Sequence, residues 1–526
     1  MTGFNLQRPT QLGAIIGVFL LVLYFTWTHL PNPHKANDTM KFKAKGTQKL
    51  RRSLKPNIIF LLADDLGYND VGYHSSEIKT PNLDKLAQEG IKLENYYVQK
   101  VCSPSRGQLL SGKYQIYTGL QHSYILTASP NCLRTDIPTL PEKLREAGYA
   151  THIVGKWHLG YYKEECHPLN RGFDSFYGIL TGKGDHYTHN NTAYIDGHIL
   201  NGYDFWKNHD PDFSADGHYS TFLYQDRINQ LIDDHDRSKP LFMYVPFQAV
   251  HSPLQVPDSY CLIYHNITEL KRQRFAGMTT CMDEAVGNIV NKLKGSGLWR
   301  NTVLIFSTDN GGSVFRGGNN WPLRGWKNSM WEGAVRAVGF VLSDLLPTNV
   351  RGTTSKQLMD ISDWFPTLVQ GVAGHSIEGL DLDGYDMWDV LRSQVESPRL
   401  ELVHNIDPWP NNPAKFSTEI SAAIRVRDWK LITGDPGSEG GKWIAPSDYN
   451  ITPDQPLDPE GKKIWLFNIT ADPCEKVDLS NHHPEIVESL LDKLKGYYQN
   501  SISPFHPPET IQADPQLRGG LWRAWA

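Results

Sequence analysis

The sequence has no surplus of basic charge: 52 Lys and Arg stand against 57 Asp and Glu, a formal net charge of −5. A strongly basic nucleic-acid binder is excluded on that ground. Cysteine is scarce. Six occur in 526 residues, Cys102, Cys132, Cys166, Cys261, Cys281 and Cys474, and none forms a Cys-x-x-Cys pair. A structural zinc site is therefore not expected. No internal repeat is visible. What is present is a globular composition. Apolar residues make up 40%, which with 44 glycines excludes disorder over the whole chain. Fifteen Trp, 24 Tyr and 20 Phe supply a core and an aromatic-lined cleft. The length exceeds what one compact core usually holds, so one large domain and a smaller one are expected.

The first thirty residues differ from the rest. Leu12 to Leu23 is nearly unbroken apolar sequence preceded by Arg8. It reads as a signal peptide or an uncleaved signal-anchor over 1–30. Lys35, Lys41, Lys43 and Lys45 on its far side argue against an anchor. Either form sends the remainder into the secretory lumen, to the lysosome, the endoplasmic reticulum or the outside. Membrane contact is expected only if the segment is retained. Residues 31–54 read as a solvated linker. Asn-x-Ser/Thr sequons at Asn37, Asn190, Asn266, Asn450 and Asn468 agree with a lumenal address. In that compartment most cysteines should pair, in any of fifteen ways.

Continuous apolar runs at 57–63, 240–246 and 302–307, and a shorter one at 152–155, suit strands buried on both faces of a sheet. Between them, Pro81 to Gly90, Thr139 to Gly148 and 270–293 carry helix signals. The alternation argues a doubly wound α/β domain over 55–400. After Leu391 the pattern changes, with strand-like runs at 429–432 and 464–467 and a helical segment at 484–498. Residues 401–526 read as a smaller α+β subdomain.

In open α/β sheets the site lies beyond the carboxyl ends of the strands. Asp64 and Asp65 follow the first run, and Asp309 and Asn310 follow the run at 302–307. Clustered carboxylates resist joint ionisation, and a divalent cation resolves that; all-oxygen ligation favours calcium or magnesium. A second set is basic: Lys156 and His158, His251, and Arg324 with Lys327. Together they suggest a cationic pocket beside a metal, suited to a phosphate or sulfate. Composition and spacing thus reach a metal-assisted hydrolase of an anionic ester and leave its nucleophile open.

The segment Cys102-Ser103-Pro104-Ser105-Arg106, with Leu110-Ser111-Gly112-Lys113 after it, resembles the signature of the type I sulfatases. Gly155-Lys156-Trp157-His158-Leu159-Gly160 is similar to the second signature of that family. The similarity is greatest to the arylsulfatase B group with arylsulfatases I and J, through Gly119-Leu120-Gln121-His122, Asn319 to Gly325 and Trp331-Glu332-Gly333. The resemblance implies an alkaline-phosphatase-like mixed sheet flanked by helices. It implies that Cys102 is converted to Cα-formylglycine by the formylglycine-generating enzyme, and that its hydrate attacks sulfate esters. One Ca2+ would be held by Asp64, Asp65, Asp309, Asn310 and the modified Cys102. Arg106 would hold the hydrate, His158 would be its base, Lys156 and Lys327 would clamp sulfate, and His251 would contact the bridging oxygen. The resemblance further pairs Cys132 with Cys166. Cys261 with Cys281 is a second candidate pair.

The implied substrate is a sulfated glycan or aryl sulfate ester, such as N-acetylgalactosamine 4-sulfate units; no nucleic acid partner is expected. Two other readings stay open: a phosphatase or phosphodiesterase of the same superfold, and a catalytically silent lumenal protein that binds sulfated glycans. Specificity is expected in a loop region over 181–220, where His186, Tyr187, His189, Tyr194 and Trp206 could stack on sugars or equally pack the loop itself.

Overall fold

Four of the apolar runs fold as neighbouring strands: β1 (Asn57–Ala63), β2 (Ala150–Lys156), β3 (Leu241–Pro246) and β4 (Thr302–Thr308). In space they run β4–β1–β3–β2, and every pairing is parallel. In this computed structural model, which describes residues 55–437, 441–446, 458–459 and 461–526, they are the centre of a ten-stranded sheet. Gly339–Ser343 joins β4 antiparallel and is followed by Ile91–Leu93 and Thr353–Ser355. On the other side Ser175–Ile179 joins β2 in parallel, and Trp206–Lys207 and Asp210–Pro211 close the edge. The sheet is therefore mixed, as expected. The signal segment, the linker, Asn37 and Asn450 lie outside the described residues.

Every residue of β1, β3 and β4 is buried, which is why these strands read as continuous runs and not as alternation. Helices cover both faces. α1 (Pro81–Glu89), α2 (Cys102–Ser111), α3 (Leu140–Glu146), α4 (Ser220–Asp234) and α5 (Leu270–Gly295) fall into two groups. α1 and α4 pack on α5, while α2 and α3 pack with one another and with the 361–372 segment. Phe60 of β1 meets Trp364 of that segment edge-on at 5.8 Å. α1 has Pro81 in its first turn and ends at Gly90. Its free Asn82 and Leu83 N–H groups donate to the Asp283 carboxylate of α5, at 3.1 and 2.7 Å. α3 begins with a capping box between Thr139 and Glu142.

A separate antiparallel sheet follows: Glu401–Asp407, Ser421–Val426, Trp429–Thr433 and Ile464–Asn468, in chain order. α6 (Pro484–Asn500) packs Val487, Leu490 and Leu494 against Ile424, Leu431 and Leu466, together with Tyr114 and Ile116. Met330 and Trp331 pack with Ile432, Trp465 and Phe467. Below them Lys430 is wholly buried, 2.9 Å from both Glu332 and Glu475. Among the described residues no helix is long and apolar enough to cross a membrane.

Candidate active site

Because β1 to β4 are parallel, their carboxyl ends share one edge of the sheet. Asp64 and Asp65 leave β1, Lys156 ends β2 with His158 two residues on, His251 follows β3, and Asp309 and Asn310 follow β4. Backbone pairing continues past the strand ends and fixes these loops. Asp64 N–H donates to Ala249 O (3.0 Å), Val250 N–H to Asp64 O (2.8 Å) and Asp309 N–H to Ala63 O (3.1 Å). Asp65 (φ 62°) and His158 (φ 55°) sit in the left-handed region, a strained setting that clusters at functional sites. A Cβ at Gly311 would lie 1.9 Å from Gly333 O, so only glycine lets the Asp309–Asn310 loop approach.

The motif helix α2 is buried on every side, all ten residues of it, and its polar groups bind the strand ends together. Ser103 Oγ donates to His158 O (3.0 Å). Ser105 Oγ donates to Asp309 O and accepts Gln99 N–H. Arg106 places Nε and Nη2 on Asp309 Oδ2 (3.0 and 2.7 Å) and Nη1 on Lys156 O (3.0 Å). Cys102 opens the helix. Its thiol donates to Asp64 Oδ1 (3.4 Å) and accepts from Lys327 Nζ (3.5 Å).

Three carboxylates and three permanent cations are thus interleaved in a desolvated space. Lys156 Nζ binds Asp64 Oδ2 (2.5 Å), Lys327 Nζ binds Asp65 Oδ1 (2.6 Å), and Arg106 binds Asp309. Burial raises the Asp65 pKa, but Lys327 and His251 outweigh it and hold the carboxyl well below its usual range. Burial and the nearby Asp309 and Asp64 push the Cys102 thiol far up, so it is a neutral thiol and a poor nucleophile as it stands.

The oxygen donors fit a hard cation. Ligand atoms of Asp64, Asp65, Cys102 and His251 lie within 4.8 Å of one another. Asn310 Oδ1 is buried with no hydrogen-bond partner, while its Nδ2 donates to Asp65 Oδ1 (2.7 Å). An amide oxygen left bare beside carboxylates is suited to a cation. Asp309 is turned toward Arg106, and Asp65 N–H donates to its Oδ1 (3.3 Å).

The two histidines have defined tautomers. His158 Nε2–H donates to Ile125 O (3.0 Å), leaving the buried Nδ1 lone pair without a partner. His251 Nδ1–H donates to Ser252 O (2.6 Å), leaving Nε2 3.7 Å from Asp65. Burial lowers both pKa values, with Lys156 acting further on His158 and Lys327 on His251, which falls to about 3. Both are proton acceptors at neutral pH.

Residues 56–374 match the sulfatase family. The chain belongs to that family. It is similar to arylsulfatase J of Mus musculus, 49% identical over 98% of this chain and 88% of that protein. It is also similar to N-acetylgalactosamine-6-sulfatase of Rattus norvegicus, 32% identical over 62% of this chain and 65% of that one. Among solved structures, Ps i-CgsB in complex with k-i-k-neocarrahexaose superposes with a TM-score of 0.70 at 27% identity, covering 88% and 98% of the two chains. Membership and these relatives support sulfuric ester hydrolysis.

In this sulfatase Asp65, Cys102, His158, His251 and Lys327 line one cleft of about 460 Å³. Arg324 does not reach it. Its guanidinium stacks 3.6 Å from the Trp331 ring and pairs with Asp458 (2.7 Å), so its charge is spent in a packing role. Of the five aromatic residues for which the sequence leaves sugar stacking and loop packing both open, His186, His189 and Trp206 are buried and Tyr187 packs on Tyr219, so these four pack the loop. Only Tyr194, 73% exposed, lines the cleft. Lys183 and Arg316 also line it and went unnoticed in the sequence, where loop lysines and arginines carry no pattern. Cys132 and Cys166 form a disulfide, with Cα atoms 6.2 Å apart. Cys261 and Cys281, the other candidate pair, are both free thiols. Of the described sequons, Asn266 is exposed, and Asn190 and Asn468 are partly buried.

Proposed function

We propose that this chain hydrolyses sulfate esters of glycans, with Cys102 converted to Cα-formylglycine and one Ca2+ bound beside it. The observation that carries this reading is the place of Cys102. It heads a buried helix at the cleft floor, between the carboxylate of Asp64 and the ammonium of Lys327. The aldehyde hydrate would supply the attacking hydroxyl, and the calcium would draw charge from the sulfate oxygens. Asp64, Asp65, Asp309, Asn310 and the modified residue 102 would hold the ion. With Asp64 and Asp65 serving as ligands, Lys156 and Lys327 would be free to hold the sulfate. Arg106 fixes Asp309 and the head of the helix. His158 Nδ1 takes a proton from the nucleophile, and His251 contacts the bridging oxygen, donating to the leaving alcohol once Nε2 carries a proton.

The likeness to N-acetylgalactosamine-6-sulfatase and to Ps i-CgsB in complex with k-i-k-neocarrahexaose favours a sulfated sugar, such as N-acetylgalactosamine 4-sulfate at a glycan end. The formylglycine-generating enzyme is the partner this reading requires, and the secretory lumen its compartment. Peptide mass spectrometry across Cys102, on protein secreted from cells that hold the converting enzyme, tests it. A loss of about 18 Da, with aryl sulfate turnover that Cys102→Ala abolishes, is expected. An unmodified thiol with no turnover overturns the catalytic reading and leaves a glycan-binding protein.

A further inference from the structure

The cleft has two tiers of different charge. On the floor, three acids match three permanent cations. At the mouth stand Lys183 and Arg316, both exposed; the carboxylates lining the same cleft are Glu509 and, on the floor, Asp65, which is paired with Lys327. Glu509 is occupied, since its Oε1 accepts Ala128 N–H (3.0 Å). No described carboxylate forms an ion pair with Lys183 or Arg316. Nothing in the sulfate-cleaving machinery uses them.

Both cations stand on fixed backbone. Lys183 O accepts from Thr181 Oγ1 (2.8 Å), and the next carbonyl, Gly184 O, accepts from Gln248 Nε2 (2.5 Å). Arg316 ends a single 3-10 turn, Val314–Arg316, closed at Gly317, whose carbonyl accepts from Arg272 Nη1 (2.8 Å). Phe315 in that turn packs edge-on to Trp326 at 5.5 Å. A fixed backbone beneath free side chains lowers the backbone share of the cost of ordering them on a ligand. Beside them Tyr194 projects from the Asn190–Ile195 hairpin strand with its ring in solvent. An exposed aromatic at a cleft mouth is a surface on which a sugar ring stacks. The cleft volume matches pockets that enclose a whole small molecule, so it has room beyond a single sulfate.

We propose that Lys183 and Arg316 form a second anion subsite at the cleft mouth, with Tyr194 as the stacking surface for the sugar that carries the anion. Resting on the sulfatase reading above, this makes the substrate a glycan with a further sulfate or carboxylate on a neighbouring sugar.

The test is calorimetric titration of Cys102→Ala protein, which cannot turn over, with a chondroitin 4-sulfate hexasaccharide at physiological salt. Adding Lys183→Ala and Arg316→Ala together should weaken binding roughly tenfold per cation removed and flatten its salt dependence. Tyr194→Ala should weaken it about fivefold. In the otherwise native protein the same rim variants should leave aryl sulfate kcat/KM within about twofold, because that substrate carries no second anion, and thermal unfolding should be unchanged. A carboxyl-reduced hexasaccharide separates the sources: retained affinity assigns the subsite to a sulfate, lost affinity to a carboxylate. Equal binding by parent and double variant overturns the proposal, as does absence of binding by the parent. Failure of the sulfatase reading shows separately, as no aryl sulfate turnover with rim-dependent binding intact.

Discussion

Lys156 Nζ lies 2.5 Å from Asp64 Oδ2, and neither side chain touches solvent. The pair joins the ends of two strands that are not sheet neighbours, since β3 lies between β1 and β2. Lys156 is the nearer of two cations on Asp64, Arg106 Nη2 lying 3.6 Å from the same oxygen, and buried charges of this kind depend on such partners. Lys156→Met keeps the stem and removes the ammonium. It should cost about 3–5 kcal/mol of unfolding free energy in urea and at least 100-fold in aryl sulfate kcat. A variant of unchanged stability would mean that Arg106 alone suffices to hold Asp64.

The proposed calcium site, with Asn310 Oδ1 as one ligand, would couple the ion to stability. Calcium at 100 times its dissociation constant should stabilise the protein by about 2.7 kcal/mol, seen as a rise in Tm that EGTA reverses. Asn310→Ala should need more calcium for the same rise. Equal midpoints for the two proteins would remove Asn310 from the ligand set.

The pH dependence of stability should have an unusual component from Glu332, Lys430 and Glu475. Burial lifts the Glu475 pKa to about 7 against the pull of Lys430, whereas Lys430 overcomes burial at Glu332 and holds it at about 2. Both carboxyls start from 4.5. Between 4.5 and 7 the folded protein keeps a proton on Glu475 that the unfolded chain releases, so stability falls as pH rises. Below 4.5 the unfolded chain takes up a proton that folded Glu332 refuses, so stability falls as pH drops toward 2. This cluster therefore favours the folded state most near pH 4.5. Glu475→Gln should remove the decline between pH 5 and 7 in urea midpoints; an unchanged slope would place its origin elsewhere.

The Cys132–Cys166 bridge closes a loop with a sequence separation of 34. Replacing both with Ala should lower stability by about 4 kcal/mol in the chain-entropy account, read as a reduced urea midpoint with a steeper slope as the unfolded chain expands.

The floor of the site was legible because β1, β3 and β4 are buried on both faces. Their sequences become unbroken apolar runs, and the residues just past each run are the ones the parallel sheet gathers. Elsewhere that signal fails. Glu401–Asp407 holds the buried polar side chains of His404 and Asn405, and Ser421–Val426 buries Arg425 against Tyr97, so neither reads as an apolar run. α2 has no apolar stripe because solvent touches none of it, and only the motif resemblance drew attention to it. Arg324 and Lys327 are three residues apart, yet one stacks on tryptophan and the other reaches the thiol. Local sequence holds nothing that separates them.

The burial of α2 also sets an order in time. Cys102 is 1% exposed, and the residues around it are packed beneath strand ends drawn from positions up to about 200 residues downstream. A small ester can enter the cleft, but a second protein cannot grip the Cys102–Arg106 segment without dismantling it. Any enzyme that acts on this cysteine must meet it while the chain is still open, before Asp309 arrives to lock Arg106. On the proposed conversion the finished fold would work as a seal: a chain that closed with the thiol intact would keep it until it unfolded.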